Sequence, residues 1–518
     1  MALTETRPDS AVTAAIVDAG GVPPRAVPTG AERLLGTGDH KVIGRIFIGA
    51  SLLFIACDLV LAALANLQIA SGDLIDQSVA YRFGLSHPLM LFFCGVLPLV
   101  LGLATYLVPR QLGAESVSFP RASAMSLWGW LFGSVLYTVA LLAKGSYGGS
   151  DLDMVRMGHV ALGLLALSLL IGMVSVMTTI MSARPAGLTL DRVPFFSFSI
   201  LVTGALWLVT IPALFAQIVL WHIRRPSVID LTEAAYPTLS WIFQQPALYI
   251  AAIPILGLLA DTAGAASGAR QKNYSVVQGL IVAFGALSFG TWAQNEVARE
   301  TLVGIVFAVL IAVPVLGVLG ASLDTLRRGK VAVSGGLVGA IFAALVLLLA
   351  IVAGAVQAIA TAGDGNLFDV TAGSFHSQTP GIVIGQFYLV IGAVVTAGIA
   401  ALFHWGSRLS PAGLPAGAGL ALAPLAAVGA LVFGLGQALA GITNTDDVDM
   451  FATLSGVGAV VLAVAALGAL AAFVGSLAGK GAGSTGASGG TLEWLDAAEI
   501  PAIESEYPAL DVNEKGAN

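Results

Sequence analysis

Read in windows of about 19 residues, the chain alternates long apolar blocks with short polar connections. Twelve blocks predict transmembrane helices, at 43–70, 83–109, 122–144, 157–182, 195–222, 238–261, 274–295, 302–322, 332–360, 381–404, 416–441 and 450–476. Several exceed about 25 residues, which implies tilt or extension beyond the bilayer. The pattern has one conspicuous interruption. In FQQPALYIAAIPILG, Phe243 to Gly257, an amide pair, Gln244-Gln245, is sunk near the start of an apolar helix. Polar side chains inside a membrane span mark a pathway or a cofactor site, so what these glutamines face becomes the question.

Composition sharpens the class. The 518 residues are 57% hydrophobic and only 10% charged, with a mean hydropathy of +0.90. An all-α, polytopic membrane protein follows. The two cysteines, Cys57 and Cys94, both lie in apolar runs, so no disulfide framework is implied. A net charge of -7 with no basic stripe gives no basis for nucleic-acid binding. If the N-terminus is cytoplasmic, about 17 basic residues fall on the inner side, among them Arg110, Arg184, Arg270, Arg327 and Arg408, and about six on the outer side. Both termini are therefore expected inside, in a bacterial cytoplasmic membrane. No cleavable signal is visible. Residues 1–36 read as a flexible cytoplasmic arm, 37–478 as the twelve-helix membrane domain, 479–490 as a Gly/Ser linker, and 491–518 as an acidic cytoplasmic tail that is either disordered or docked on a cytoplasmic face.

Soluble-type catalytic motifs, a phosphate-binding glycine loop and a CxxC metal site are absent, which leaves the polar groups within spans. These are Asp58 in span 1, His87 early in span 2, Gln244 and Gln245 in span 6, Gln294 and Asn295 at the end of span 7, and Gln386 in span 10. For any one glutamine, a hydrogen bond between helices worth about 1 kcal/mol is explanation enough. Several helices presenting such groups at once argue for a shared interior pocket.

Ordered stretches of the chain resemble subunit I of the haem-copper oxidases, the cytochrome c oxidase family. They are TGDHKVIGRIFIG, YLVPRQLGAESVSFPRASAMSLW, AGLTLDRVPFFSFSILVTGALWLV, WIFQQPALYIAAIPILG, WAQN and the late TLEW, together covering about 37–495. The resemblance implies a twelve-helix bundle of the kind that carries a low-spin haem, a high-spin haem and a copper ion, reduces dioxygen and pumps protons. It also shows where this chain departs. The span 6 motif His-Pro-Glu-Val-Tyr reads Gln245, Pro246, Ala247, Leu248, Tyr249, and Trp-Ala-His-His reads Trp292, Ala293, Gln294, Asn295. In span 10, one register puts Ile384 and Gln386 at the two haem-ligand positions, and a shift of two puts Gln386 and Tyr388 there. Neither supplies an imidazole. His87 matches the low-spin haem ligand of span 2, and the family's haem-contacting arginine is matched by Asn66.

The family's centres need as many converging imidazoles as the whole chain has histidines: His40, His87, His159, His222, His376 and His404. Four of the others lie near span ends, out of reach of His87. Amide oxygens are hard, weak donors for copper, so no copper is expected. Haem is not expected either, a five-coordinate haem on His87 being the remaining option. Tyr249 lies one helical turn after Gln245, where a hydrogen bond to a neighbouring amide is expected. The leading expectation is a non-catalytic paralogue of oxidase subunit I, a structural or assembly subunit among other membrane subunits and lipid in a respiratory electron-transport complex. The alternatives are a terminal oxidase with unusual ligation, and a transporter or channel lined by Asp58, Gln245 and Asn295.

Overall fold

The computed structural model describes residues 36–72, 74–147, 149–185, 187–224, 246–288, 302–360, 381–440, 448–479 and 491–494. The arm at 1–35, most of the linker and tail, and Gln244, Gln245, Gln294, Asn295 and His376 lie outside them. With no water in a bilayer core, a spanning segment must satisfy its backbone internally, and this chain does so with helices. They are α1 (His40–Ser71), α2 (Gln77–Met90), α3 (Leu97–Gln111), α4 (Pro120–Leu142), α5 (Leu152–Ser182), α6 (Phe195–Ile223), α7 (Pro246–Ser267), α8 (Tyr274–Leu287), α9 (Leu302–Leu310), α10 (Ala312–Arg328), α11 (Gly335–Ala360), α12 (Gly381–His404), α13 (Ala416–Ala440) and α14 (Val448–Leu477). Among the described residues, 11 helical stretches are long and apolar enough to cross a membrane. The seventh expected span is represented by the shorter α8. The all-α, polytopic architecture read from the sequence is the one observed.

Local chemistry sets the helix ends. Asp39 caps α1 by accepting from the Lys41 amide at 2.8 Å, and α1 stops at Gly72, whose φ of 75° is left-handed and suits glycine. Asp151 caps α5 by accepting from the amides of Asp153 and Met154, both at 3.0 Å. At 32 residues, α1 is about 48 Å long against a hydrocarbon core of about 30 Å, so it tilts or projects.

Helices α2 and α3 form one continuous rod, Gln77–Gln111, joined by a π-helical segment, Leu91–Val96. Pro88 removes one backbone donor from α2 just before this segment, and such a break frees a carbonyl and loosens the ladder. This rod and α12 are the two inner columns of the bundle. Every residue of α12 is buried, as is the whole apolar window of the rod, whereas fewer than half the residues in the windows of α4, α6, α13 and α14 are buried. Small residues let the columns close up. A Cβ on Gly385 of α12 would lie 2.5 Å from the Ala438 Cβ of α13, and one on Gly429 of α13 would lie 2.6 Å from the Leu462 amide of α14.

Candidate functional site

Of the polar groups singled out in the sequence, those among the described residues, Asp58, His87 and Gln386, lie where the inner columns meet α1 and α7. Asp58 lies about half-way along α1 and His87 is three residues from the end of α2; both are almost completely buried. The Asp58 carboxyl faces the imidazole, with Oδ2 3.7 Å from Nδ1. On the other side of the ring, Nε2 lies 2.6 Å from the Tyr388 hydroxyl of α12. The two rings are stacked at 5.4 Å between centroids and 18° between planes, and Tyr388 stacks in turn on Phe433 of α13 at 4.1 Å. Asp58, His87 and Tyr388 thus bind α1, α2 and α12 into one polar column within an apolar core. Neither Asp58 oxygen nor His87 Nδ1 has a hydrogen-bond partner.

A second contact lies two residues back along α12, on the opposite side of that helix. The Gln386 amide donates to the Tyr249 hydroxyl of α7 at 2.7 Å, and both side chains are buried. The tyrosine does meet an amide, though it comes from α12. Of the two registers weighed for α12, these contacts join Gln386 and Tyr388 to the facing helices; Ile384 is a buried apolar side chain of the core. Asn66 folds back on its own helix, its amide donating to the Ala62 carbonyl at 2.9 Å.

The remaining described histidines do not join this centre. His40 lies 3.9 Å from the Asp39 carboxylate, and His159 lies 3.3 Å from the Tyr147 hydroxyl. His404 packs edge-on against Trp405 and Trp494, and His222 is exposed. No group of three or more His, Cys, Asp or Glu side chains converges as a metal set among the described residues.

The packing tests directly whether a haem fits between α2 and α12. A low-spin haem needs an axial ligand on each side and a slot as deep as the porphyrin. Here Nε2 is engaged by a phenol, and the two rings leave no slot between them. Gln386, likewise, is engaged by the Tyr249 hydroxyl. The residues present do not fit the haem that the resemblance implies.

A second polar centre, which the sequence did not disclose, lies at the end of the bundle where α1 begins. Asp261 of α7 caps α6, with Oδ1 accepting from the Phe195 amide at 3.1 Å and Oδ2 from the Phe196 amide at 2.9 Å. Gln111 of α3 accepts from the Ser197 hydroxyl at 2.6 Å and donates to Glu493 Oε1 at 3.0 Å and to Asp261 Oδ2 at 3.4 Å. Glu493 belongs to a single 3₁₀ turn, Leu492–Trp494, in which all three side chains are buried. Trp405 Nε1 also donates to Glu493, at 3.3 Å, while Arg408 donates to the Trp494 carbonyl and lies over its ring. The start of the C-terminal tail is therefore docked on the bundle. Burial pushes the Glu493 carboxyl above the ordinary glutamate range. Asp261 carried a signal that could have been read: an acid closing span 6, suited to cap another helix.

Comparison with known proteins gives a consistent result. The family model described as cytochrome c and quinol oxidase polypeptide I matches residues 42–464. The probable cytochrome c oxidase subunit 1-beta of Nocardia farcinica is 26% identical over 417 residues, 75% of this chain and 69% of that protein. The heme-copper oxidase subunit I+III of Aeropyrum pernix is 26% identical over 410 residues, 73% of this chain and 48% of that protein. The cytochrome c oxidase subunit 1 of Corynebacterium efficiens is 28% identical over 316 residues, 54% of this chain and 53% of that protein.

Proposed function

Because the chain belongs to the cytochrome c and quinol oxidase polypeptide I family, we propose that it is a non-catalytic subunit I homologue, serving as a structural or assembly subunit of a larger electron-transfer membrane complex. Its membrane character and family stand on the helices and the family match. The loss of catalysis is argued from one observation: at the low-spin haem position, His87 Nε2 is occupied by Tyr388 at 2.6 Å. Whichever partner carries the proton, a nitrogen hydrogen-bonded to the phenol is not free to coordinate iron. The copper side supports the same reading from sequence, since Gln245, Gln294 and Asn295 stand where the family has imidazoles.

A subunit without its own redox centres acts through surfaces. Relatives are named as subunit 1 or as subunit I+III, which supports a role beside other membrane subunits. We place it in the cytoplasmic membrane of a prokaryote, with both termini on the side richer in basic residues. The test is an optical spectrum and metal analysis of the chain purified from its native membrane, with identification of co-purifying proteins. The expected result is a chain without stoichiometric haem or copper that co-purifies with other membrane subunits. Two haems and a copper per chain would overturn the reading.

A further inference from the structure

We propose that Asp58, His87 and Tyr388 form a proton-binding site in the middle of the bundle, loaded with one proton on Asp58 where the family's haem position lies. The inference goes beyond the scaffold role and rests on that reading in one respect, that His87 Nε2 carries no iron.

The geometry poses an accounting problem. Asp58 is 1% exposed, and its two oxygens have no hydrogen-bond partner. An ionised carboxylate in that position would be a bare charge in an apolar interior, among the costliest arrangements a protein can hold. His87 Nδ1, also buried and without a partner, is the polar atom that faces it, 3.7 Å away. A small rotation of the carboxyl closes that gap.

Only two neutral forms of the imidazole exist, and each fixes the direction of the whole chain of bonds. With the ring proton on Nε2, His87 donates to the Tyr388 oxygen and leaves a lone pair at Nδ1, which accepts from a protonated Asp58. The cluster is then uncharged. With the ring proton on Nδ1, His87 donates to an ionised Asp58 and accepts from the Tyr388 hydroxyl at Nε2. The cluster then carries one negative charge. The two states differ by one proton and no electrons. Release takes the Asp58 proton away, the ring hydrogen moves from Nε2 to Nδ1, and Tyr388 turns from acceptor to donor.

The surroundings favour the loaded, uncharged state. On the elements packed against α1, the titratable and charged side chains besides His87 are Tyr81 and Arg82 of α2, Cys94 of the π segment, Tyr106 and Arg110 at the far end of α3, Arg121 at the start of α4, Tyr137 further along α4 and Asp449 at the exposed start of α14. Arg82, the one cation among them near this level, stands five residues from His87, about 7.5 Å along the helix. No ion pair joins it to Asp58 among the described residues.

Infrared spectroscopy of the full-length protein in lipid, in H2O and in D2O, tests the site, together with ¹⁵N resonances of its histidines. The expected wild-type spectrum has a protonated-carboxyl band above the amide envelope that persists across roughly pH 5 to 8, where a free imidazole titrates, and that disappears in Asp58→Asn. His87, assigned by the signal lost in His87→Gln, is expected as the Nε2–H tautomer. An Asp58→Asn spectrum identical to wild type, or an Nδ1–H tautomer in the wild type, would overturn the proposal. The tautomer reading needs no Asp58 variant and stands if Asp58→Asn fails to fold. Haem content, which decides the scaffold reading, is measured separately by colour.

Discussion

The Tyr388 hydroxyl meets His87 Nε2 at 2.6 Å with the two rings stacked, so a phenol from α12 occupies the nitrogen proposed as the counterpart of the family's haem ligand. Removing that hydroxyl leaves a buried ring nitrogen without its partner. Tyr388→Phe is expected to destabilise the bundle by about 1–3 kcal/mol, read as a lower midpoint of chemical unfolding in detergent. Tyr388→His, which restores an imidazole facing His87, is expected to stay colourless, because Phe433 already packs on the ring at that position. Uptake of haem by this variant would reveal a slot that the packing does not contain.

The bond from Gln386 to Tyr249 ties α12 to α7. A double-mutant cycle with Gln386→Leu and Tyr249→Phe isolates it. The expected coupling is about 0.5–1.5 kcal/mol, the ordinary range for a hydrogen bond between membrane helices. A coupling near zero would remove this contact from the forces holding the inner columns together.

Close packing carries the rest of that load, and glycine makes it possible. At Gly429 a Cβ would lie 2.6 Å from the Leu462 backbone, which cannot give way as a flexible side chain does. Gly429→Val is therefore expected to cost about 1–3 kcal/mol and to lower the thermal midpoint. Gly475, with nothing within 4 Å of its added Cβ, is the control, and Gly475→Ala is expected to be neutral or slightly stabilising.

Docking of the C-terminal segment is expected to depend on pH. The Glu493 carboxyl is held above its ordinary value of 4.5 by burial. A group whose value rises on docking contributes fully below the ordinary value, and that contribution is lost as pH rises through the elevated one. The protection of the Leu492 and Trp494 amides against hydrogen exchange, relative to their intrinsic rates at each pH, should therefore fall as the solution becomes more alkaline. Glu493→Gln keeps an oxygen to accept from Gln111 and Trp405 and should flatten the dependence. Equal pH profiles for the two proteins would assign the effect to another group.

Hydropathy made the helices legible because a membrane span must be apolar throughout its length, and eleven of the twelve expected blocks begin or end within a few residues of an observed helix. The motif stretches made the ancestry legible as well. The centre was legible only as a set of residue types. His87, Asp58, Gln386 and Tyr249 were identifiable as polar groups in spans, yet which atoms meet depends on the rotation of α12, and no stripe of polar residues marks that rotation in a helix buried on all sides. Tyr388 was visible only as one of two registers. Glu493 lay inside a recognisable TLEW stretch, but its burial depends on Gln111 and Trp405, hundreds and tens of residues away, which no local pattern announces. The π segment after Pro88 was invisible for a related reason: one loosened turn leaves the apolar content of the span unchanged.

Because α12 has no lipid-facing side, it also sets an order of events. It is synthesised before α13 and α14, so until those two helices arrive its far flank must be covered by lipid tails, with Gln386 and Tyr388 turned toward α7 and α2. The two polar contacts are then the first features able to fix its rotation. A ribosome-bound chain halted after His404 is the species in which a misturned α12 would be trapped.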